Sequence, residues 1–190
     1  MTAEHDGSAG RVRLRRAPTR ALSATEIAAI RELLWAAFPP GDEAFTEEDW
    51  QHAIGGAHSF LELDGRIVAH ASVVEREIHV ADRPLRAGYV EAVAVEPPRQ
   101  GRGLGSRVMR DVTAYIRDRF ELGVLGTGSH RFYERLGWRT WRGPSYVRTA
   151  DGPRRTRDED GYIRVLETPT SPPLDLTVPI SCDWRPGDVW

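Results

Sequence analysis

The feature that most constrains the fold of this 190-residue chain is a strand pattern that leads through a glycine-rich loop into an amphipathic helix pattern. Residues 88–95 form the strand pattern, and residues 100–105 form the loop, Gln-Gly-Arg-Gly-Leu-Gly. The helix pattern places apolar residues along one face, at Leu104, Val108, Val112, Tyr115 and Ile116. The first N–H groups of a helix have no intrahelical acceptor and lie at the positive end of the helix dipole. The junction therefore predicts a binding site for a phosphate or pyrophosphate.

The glycines and arginines of this loop support that prediction. Gly101, Gly103 and Gly105 permit backbone angles and close approaches that side chains would block. Arg99 and Arg102 add positive charge nearby. The loop lacks the Gly-Lys-Ser/Thr ending of a P-loop and the spacing of a dinucleotide-binding turn. A glycine-rich loop alone is a weak signal, because many strand–helix loops contain glycine for steric reasons.

The remaining periodicity predicts an α+β fold with one mixed, mostly antiparallel sheet. Strand patterns occupy residues 12–14, 59–63, 67–79, 85–95, 122–125, 138–141 and 146–148. The last two of these are predicted to be the final strands, and Asp64-Gly65 predicts a hairpin. Helix patterns occupy residues 23–38, 46–54, 103–120 and 129–136. The strand–helix–strand succession over residues 85–125 predicts a parallel pair near the middle of the sheet.

Composition limits the possible function classes. The 26 basic and 28 acidic side chains nearly balance, which argues against generic nucleic-acid binding. The single cysteine, Cys182, excludes an internal disulfide, and the histidines show no metal-ligand spacing with it or with one another. His70 alternates with apolar neighbours and is predicted to be structural. The N-terminal segment lacks the apolar core of a signal peptide, and no apolar run is long enough to span a bilayer. We therefore expect a cytoplasmic protein without a metal ion that binds neither membranes nor nucleic acid.

The loop resembles the Q/R-x-x-G-x-G/A pyrophosphate loop of the GCN5-related N-acetyltransferase (GNAT) family. A second segment typical of that family follows at residues 131–138, Arg-Phe-Tyr-Glu-Arg-Leu-Gly-Trp. The resemblance implies the GNAT fold, with two splayed central parallel strands and flanking helices, and acetyl-coenzyme A as the acetyl donor. It also implies which residues bind this cosubstrate: Val93, Ala94 and Val95 through their backbone, and Gln100, Gly101, Arg102, Gly103, Leu104, Gly105 and Ser106 in the loop and first helical turn.

A narrower resemblance, to the aminoglycoside 2′-N-acetyltransferases, rests on short segments spread along the chain. They include residues 45–50 (Phe-Thr-Glu-Glu-Asp-Trp), 88–91 (Gly-Tyr-Val-Glu), 143–145 (Gly-Pro-Ser) and 182–190 (Cys-Asp-Trp-Arg-Pro-Gly-Asp-Val-Trp). It implies acetylation of the 2′-amino group of aminoglycosides by direct attack in a ternary complex, with antibiotic resistance as the consequence, and a homodimer. We accordingly divide the chain into a mobile tail (1–10), an acetyltransferase domain (11–166) and a C-terminal arm (167–190) docked near the substrate pocket. Residues 40–44 and 126–129 depart from the expected pattern.

Two residues are candidates for the chemistry of acetyl transfer, which needs a neutral amine and a proton for the departing thiolate. Glu91 is an isolated charge in an apolar strand pattern, where a carboxylate could accept the proton of the amine directly or through a water. On a solvent-facing strand position it would instead be an ordinary surface charge. The phenol of Tyr133 has a reference pKa of about 10 and stays protonated at neutral pH, so it could protonate the sulfur. At helical spacing with Leu136, Tyr133 would alternatively be a core residue.

The predicted substrate pocket is acidic, because aminoglycosides are polycations. The predicted substrate-binding residues are Asp42, Glu43, Asp49, Glu91, Ala92, Gly126, Asp158, Glu159 and, through its chain end, Trp190. By composition alone the two acidic runs among them would be solvated loops, and the resemblance is what assigns them to substrate ammonium groups. Trp184 and Val189 predict that the tail docks, since an undocked tail gains nothing from large apolar residues.

The residues leave three other functions open. Acetylation of a different small or cell-envelope amine would use the same residues. A non-catalytic coenzyme A sensor needs residues 100–105 but neither Glu91 nor Tyr133, and a pure amine-binding module needs neither the arginines nor the glycines of the loop. Cys182 has no evident base partner, and the chain lacks a Gly-x-Ser-x-Gly elbow, so neither a cysteine nucleophile nor a hydrolase of that type is predicted.

Overall fold

The computed structural model describes residues 12–41 and 44–190, so the predicted mobile tail at residues 1–10 lies outside the described residues. The strands of the described part are β1 (Val12–Pro18), β2 (Ala57–Leu63), β3 (Arg66–Val80), β4 (Arg83–Val95), β5 (Leu122–Gly126), β6 (Arg139–Thr140), β7 (Ser145–Thr149), β8 (Gly152–Arg155), β9 (Ile163–Glu167) and β10 (Ile180–Asp183). The α-helices are α1 (Ala24–Ala37), α2 (Glu47–Ala53), α3 (Leu104–Arg119) and α4 (His130–Glu134). None of these helices is both long and apolar enough to cross a membrane.

All the strands belong to one mixed sheet. Its main order is β6-β9-β5-β4-β3-β10-β7-β8, and β2, which also pairs with β1, joins it at β3. The pairs β4–β5 and β7–β10 are parallel, whereas the other pairs are antiparallel. The predicted α+β fold with a parallel pair near the middle of the sheet is therefore confirmed.

The central parallel pair separates after a few residues. β4 and β5 pair only as far as Tyr89 opposite Val124, whereas β4 continues to Val95 and β5 to Gly126. The C-terminal half of β4 therefore presents an edge on which β5 makes no ladder hydrogen bonds. This opening creates a cleft between two adjacent strands in the middle of the sheet.

A β-bulge in β4 lies at the start of this opening. Pairing with β3 is regular up to Glu91 and resumes at Ala94, and the two residues between them, Ala92 and Val93, face the single residue Ala71. Ala92 has a left-handed φ of 52°, which is costly for a residue with a side chain. Such a bulge bends the strand and turns its peptide groups out of the regular ladder.

The first two helices begin where the sequence predicts, because each has a complete capping box. The hydroxyl of Ser23 accepts from the N–H of Glu26, whose carboxylate accepts from the N–H of Ser23 at 2.8 Å. Thr46 and Asp49 repeat the arrangement at α2. The predicted hairpin also forms between β2 and β3, since Asp64 and Gly65 both have positive φ, at 51° and 78°.

The helices cover both faces of the sheet. Phe60 and Leu61 are successive residues of β2 and therefore point to opposite faces. Phe60 packs in a cluster with α1 and α2, and Leu61 packs in a cluster with α3 and with Tyr133 of α4. Each helix thus buries its apolar stripe against the sheet, which is the main stabilisation of such short helices.

The prediction that the strands end at residues 146–148 is wrong. β8 pairs with β7, β9 pairs with β5, and β10 inserts between β3 and β7. These strands have only four or five residues each. Runs this short carry little periodicity, so the sheet pairing rather than the local pattern defines them.

The C-terminal tail is buried only in part. Trp190 is 5% exposed and packs in a cluster with Tyr89, Trp141 and Ile180. Trp184, in contrast, is 57% exposed. The prediction that Trp184 contributes to docking of the tail is therefore wrong, because the turn after β10 leaves its side chain in solvent.

Candidate active site

A cavity of about 510 Å³ lies where β4 ends and α3 begins. Its wall consists of Val93, Ala94, Val95, Arg99, Gln100, Gly101, Gly103, Leu104, Gly105, Ser106, Ser129, Phe132, Tyr133 and Arg135. The residues predicted to bind acetyl-coenzyme A thus come together, apart from Arg102, which is exposed and not part of the wall. Phe132 and Arg135 also line the cavity and were not predicted as ligand-binding residues.

The N-terminus of α3 is open toward this cavity. Gly103 is the N-cap, no side chain caps the first turn, and that turn contains no acidic residue. Gly101 and Gly103 have φ of 72° and 78°, a conformation that L side chains rarely adopt. At Gly105 the main chain is closely packed, since a Cβ there would lie 3.3 Å from Cγ2 of Val95. The first N–H groups of α3 are free to donate, and the glycines let a ligand approach the main chain closely. This arrangement suits the oxygens of a pyrophosphate.

A second cavity, of about 370 Å³, adjoins the first. It is lined by the end of α1, the region of α2, the middle of β4, the end of β5 and the C-terminal tail: Phe38, Ala44, Phe45, Asp49, Tyr89, Val90, Glu91, Ala92, Val93, Leu125, Gly126, Thr127, Ser129, Tyr133, Asp188 and Trp190. The two walls share Val93, Ser129 and Tyr133. A ligand in one cavity therefore meets a ligand in the other beside these three residues.

Glu91 lies in the wall of the second cavity and is mostly buried. Its Oε1 accepts a hydrogen bond of 2.6 Å from Nη1 of Arg185, and the two side chains are 15% and 13% exposed. Burial raises the pKa of Glu91 above its ordinary value, and the positive charge of Arg185 offsets part of that rise. A carboxyl group with a raised pKa holds a proton more tightly than an ordinary glutamate, which suits a general base at neutral pH.

Tyr133 lies where the two cavities meet. Its ring packs edge-on against Phe132 and Trp138, at centroid distances of 4.8 and 6.4 Å, and the residue is 7% exposed. Burial raises the pKa of Tyr133 to about 12. The predicted alternative of a core residue and the predicted acid role are thus compatible, because the ring is packed while the residue still borders both cavities.

Tyr89 has a buried hydroxyl group with no hydrogen-bond partner among the described residues. The guanidinium groups of Arg76 and Arg185 lie 4.8 and 5.4 Å from the centre of its ring. A buried hydroxyl without a partner is destabilising unless a ligand or a water satisfies it. Since Tyr89 lines the second cavity, a polar ligand there would supply the missing partner.

Besides Glu91, the second cavity is lined by one acidic residue that was predicted and one that was not. Asp49 lines the cavity, and its Oδ2 accepts the capping hydrogen bonds of Thr46. Asp188, in the tail, also lines it. The predicted Asp42 and Glu43 lie outside the described residues.

The predicted Asp158 and Glu159 do not line the cavity but influence its charge. Burial, followed by the charges of Asp188 and Asp158, raises the pKa of Glu159 to about 7. Glu159 is therefore close enough to Asp188 for the two carboxyl groups to repel each other. A cation bound beside Asp188 would relieve this repulsion.

The C-terminal tail is held in place by hydrogen bonds. Nη1 and Nη2 of Arg76 donate to the carbonyl oxygens of Val189 and Asp183, at 2.8 and 2.9 Å. The indole Nε1 of Trp190 donates to the hydroxyl of Thr156 at 3.1 Å. The main-chain carbonyl carbon of Trp190 lies 3.5 Å from where a Cβ of Gly126 would be. The predicted Ala92, Gly126 and Trp190 therefore meet in one wall.

Tyr89, Arg185 and Asp188 are among the residues of the site that the sequence analysis gave no role. Tyr89 and Glu91 alternate on one strand, so the two side chains share a face, and this spacing was a signal in the sequence. Arg185 and Asp188 belong to the tail segment that the sequence already marks as unusual. Their contacts with β4 depend on the path of the tail, which no local pattern specifies.

The remaining reactive groups lie elsewhere. No group of three or more His, Cys, Asp or Glu side chains is arranged to hold a metal ion within residues 12–41 and 44–190. Cys182 lines neither cavity, and its thiol donates to the carbonyl of Val189 at 3.3 Å. Burial raises the pKa of Cys182 to about 11, which makes it a poor nucleophile.

Comparison with known proteins identifies relatives of this chain. Residues 18–141 match a family model described as an acetyltransferase (GNAT) domain. An aminoglycoside 2′-N-acetyltransferase of Mycolicibacterium fortuitum is 42% identical over 150 residues, which cover 77% of this chain and 77% of the relative.

Solved structures show the same fold at lower identity. A GNAT family acetyltransferase from Brucella melitensis, in complex with acetyl-CoA, matches with a TM-score of 0.62 and 19% identity over 90% of this chain and 95% of that one. A GCN5-related N-acetyltransferase from Kribbella flavida matches with a TM-score of 0.56 and 22% identity over 70% of this chain. This chain spans only 34% of the length of the Kribbella protein.

Proposed function

This chain belongs to the GNAT acetyltransferase family, and we propose that it transfers the acetyl group of acetyl-coenzyme A to the 2′-amino group of aminoglycosides. The relative from Mycolicibacterium fortuitum carries this activity in its name. The observation that carries the proposal is the meeting of two cavities at Val93, Ser129 and Tyr133. One cavity has the features of a pyrophosphate site, and the other has acidic side chains and a candidate base.

The first cavity takes the acetyl-coenzyme A. The N-terminus of α3 and the loop at residues 100–105 bind the pyrophosphate, and Arg135 adds positive charge to the wall of the cavity. The free edge of β4 at Val93 and Ala94 pairs with the amide groups of the pantetheine arm. Bound acetyl-coenzyme A would supply the acetyl group as an activated thioester.

The second cavity takes the aminoglycoside. Asp49 and Asp188 attract its ammonium groups. Glu159, which interacts with the charge of Asp188, adds to the negative potential there when it is ionised. The hydroxyl of Tyr89 gains its missing partner from a sugar hydroxyl or amine. Several polar groups that line one cleft suit the binding of a small polar ligand better than the binding of a protein surface.

Glu91 and Tyr133 carry the proton transfers. Glu91 takes the proton of the attacking amine, directly or through a water, since its raised pKa makes it a better proton acceptor at neutral pH. The N–H of Val93 polarises the thioester carbonyl. Tyr133, with a pKa of about 12, remains protonated and donates to the departing sulfur.

Transfer is direct, within a ternary complex. The two cavities join, so both ligands fit side by side. The only cysteine is buried away from both cavities, and its thiol is engaged with a carbonyl. A covalent cysteine intermediate therefore has no support in this arrangement.

The test uses thiol release from acetyl-coenzyme A with two matched aminoglycosides, one with a 2′-amine and one with a 2′-hydroxyl. Turnover with the 2′-amine alone is expected. Equal turnover with both keeps the acetyltransferase activity but excludes the 2′ position. Binding of acetyl-coenzyme A without turnover on any amine would support the non-catalytic sensor instead.

Three consequences of the same resemblance are proposed with it. Expression in a susceptible bacterium raises the inhibitory concentration of 2′-amino aminoglycosides but not of their 2′-hydroxyl counterparts. The protein is a homodimer, which light scattering of the purified protein tests by a mass twice that of one chain. It acts in the cytoplasm, where fractionation of the expressing cells would recover it.

A further inference from the structure

A chain of buried hydrogen bonds ends at the bulge of β4. His58 and His70 are fully buried, and Nδ1 of His58 lies 2.9 Å from Nε2 of His70. Nδ1 of His70 lies 2.8 Å from the carbonyl oxygen of Ala92, and Nε2 of His58 lies 2.8 Å from the hydroxyl of Thr19. The N–H of Gly55 donates to that hydroxyl at 2.9 Å. The chain therefore runs from a loop before β2 to the bulge.

Its chemistry fixes the direction of every hydrogen bond. The carbonyl of Ala92 only accepts, so Nδ1 of His70 carries the proton. Burial lowers the pKa of His70 to about 3 and that of His58 to about 4, so both rings are neutral at pH 7. Nε2 of His70 then accepts from His58, and Nε2 of His58 accepts from Thr19. All donors point toward Ala92, and hydrogen bonds aligned in one direction strengthen one another.

The end of the chain is a peptide group of the candidate active site. The described part of the chain has no cis peptide bond, so the Ala92 carbonyl and the Val93 N–H point in opposite directions. The carbonyl points to His70, and the N–H therefore points away from it. Val93 lines both cavities, and neither Ala92 nor Val93 has a regular ladder partner on β3.

We propose that His70, supported by His58, is a positioning residue that holds the Ala92–Val93 peptide so that the Val93 N–H polarises the thioester carbonyl. This rests on the proposed acetyl transfer. Ala92 is in a left-handed conformation that an alanine does not favour, so the peptide needs an outside contact to stay in this orientation. The hydrogen bond from His70 both orients the peptide and draws electron density toward its oxygen, which makes the N–H a stronger donor.

The sharpest test compares two variants whose side chains end in the same amide group at different distances from the main chain. In His70→Asn the side-chain NH2 occupies the place of Nδ1 and still donates to Ala92. In His70→Gln the amide oxygen occupies the place of Nε2, where it accepts from Nδ1 of His58, and the longer side chain leaves Ala92 without a donor. Ser72→Ala is the matched control, since the buried hydroxyl of Ser72 donates at 3.3 Å to the neighbouring carbonyl of Glu91 rather than to that of Ala92.

The readouts are the infrared band of the carbonyl of bound [1-13C]acetyl-coenzyme A, the turnover number and the KM for acetyl-coenzyme A. In the wild-type complex the carbonyl band lies at a lower frequency than in free acetyl-coenzyme A. The His70→Asn and Ser72→Ala variants keep this shift. The His70→Gln variant loses most of the shift, and its kcat falls about 10- to 100-fold with KM little changed. Complete loss of one oxyanion donor lowers kcat by about 10²- to 10³-fold. Equal bands and equal kcat in folded Asn and Gln variants overturn the proposal.

A second measurement needs no variant. Because the bound carbonyl polarises the peptide, acetyl-coenzyme A should move the Nδ1–H proton resonance of His70 in the wild-type protein downfield. No movement on saturation overturns the proposal even where a variant does not fold. Lack of turnover with aminoglycosides would refute only the proposed acceptor, since the infrared band and the proton resonance are both measured with acetyl-coenzyme A alone.

Discussion

Replacement of Glu159 by glutamine should stabilise the protein at alkaline pH and leave its stability at acid pH unchanged. The ordinary pKa of a glutamate is 4.5, whereas burial and the charges of Asp188 and Asp158 raise the pKa of Glu159 to about 7. The folded state therefore binds this proton more tightly than the unfolded chain does. Its stabilising contribution is complete below pH 4.5 and is lost as the pH rises to 7 and above.

The magnitude follows from the two pKa values. One pKa unit corresponds to about 1.4 kcal/mol, so the difference between 4.5 and about 7 amounts to about 3.4 kcal/mol when the carboxyl is fully ionised. Glu159 is only half-buried, and solvent screens its interactions, so we take about half of this value. Because glutamine does not titrate, Glu159→Gln should raise the free energy of unfolding by about 1.5–2 kcal/mol at pH 8.5.

Urea unfolding at pH 4, 6, 7 and 8.5 measures this difference. The difference between the variant and the wild type should be near zero at pH 4 and grow across the interval from 4.5 to 7. Glu32→Gln is the matched control, because it makes the same chemical change at an exposed position of α1 and should shift stability by less than about 0.5 kcal/mol at every pH.

The same variant also links stability to function. A bound aminoglycoside places ammonium groups near Asp188 and lowers the pKa of Glu159, so the ligand should stabilise the wild type more than the variant at pH 8.5. A difference in unfolding free energy that is independent of pH would refute the assignment of a raised pKa to Glu159. A pH-dependent difference with equal ligand stabilisation would separate Glu159 from the substrate pocket.

Three further predictions concern the site. Glu91→Gln and Tyr133→Phe should each lower kcat by about 10²-fold or more in thiol-release assays while calorimetry shows unchanged binding of acetyl-coenzyme A; loss of that binding would contradict the assigned roles. Arg185→Met removes the charge that lowers the pKa of Glu91, so the acid limb of the profile of kcat/KM against pH should move to higher pH, and an unchanged limb would contradict the contact with Glu91. Gly126→Val should raise the KM for the aminoglycoside at least tenfold at constant KM for acetyl-coenzyme A, because Gly126 lines the second cavity and a valine side chain there takes space from the ligand beside Trp190 and Tyr89; equal effects on both KM values would place Gly126 outside the substrate cavity.

The local elements of this protein could be read from the sequence. Ser23 and Thr46 cap their helices as predicted, and Asp64-Gly65 forms the predicted hairpin. Gly101 and Gly103 take left-handed conformations, which agrees with the expectation that glycine is needed there for its backbone angles. Each of these features is decided by residues within a few positions of one another, so the short-range pattern contains the information.

Contacts between distant segments could not be read in this way. Arg185 and Glu91 are 94 residues apart in sequence, yet their side chains form an ion pair at 2.6 Å. The short β10 forms a strand because it pairs with β3 on one side and with β7 on the other. Periodicity describes which face of an element is apolar, and it does not specify which elements become neighbours.

The glycine-rich loop, the helix that follows it, the candidate acid and base and the family of the chain were all identified from the sequence alone. The contacts of the Ala92 bulge with two buried histidines, the ion pair of Arg185 with Glu91 and the position of Asp188 in the second cavity depend on the tertiary structure. The physical reason is that a helix cap or a turn is stabilised by neighbours in the chain, whereas a buried polar contact exists only where the folded sheet brings its two partners together.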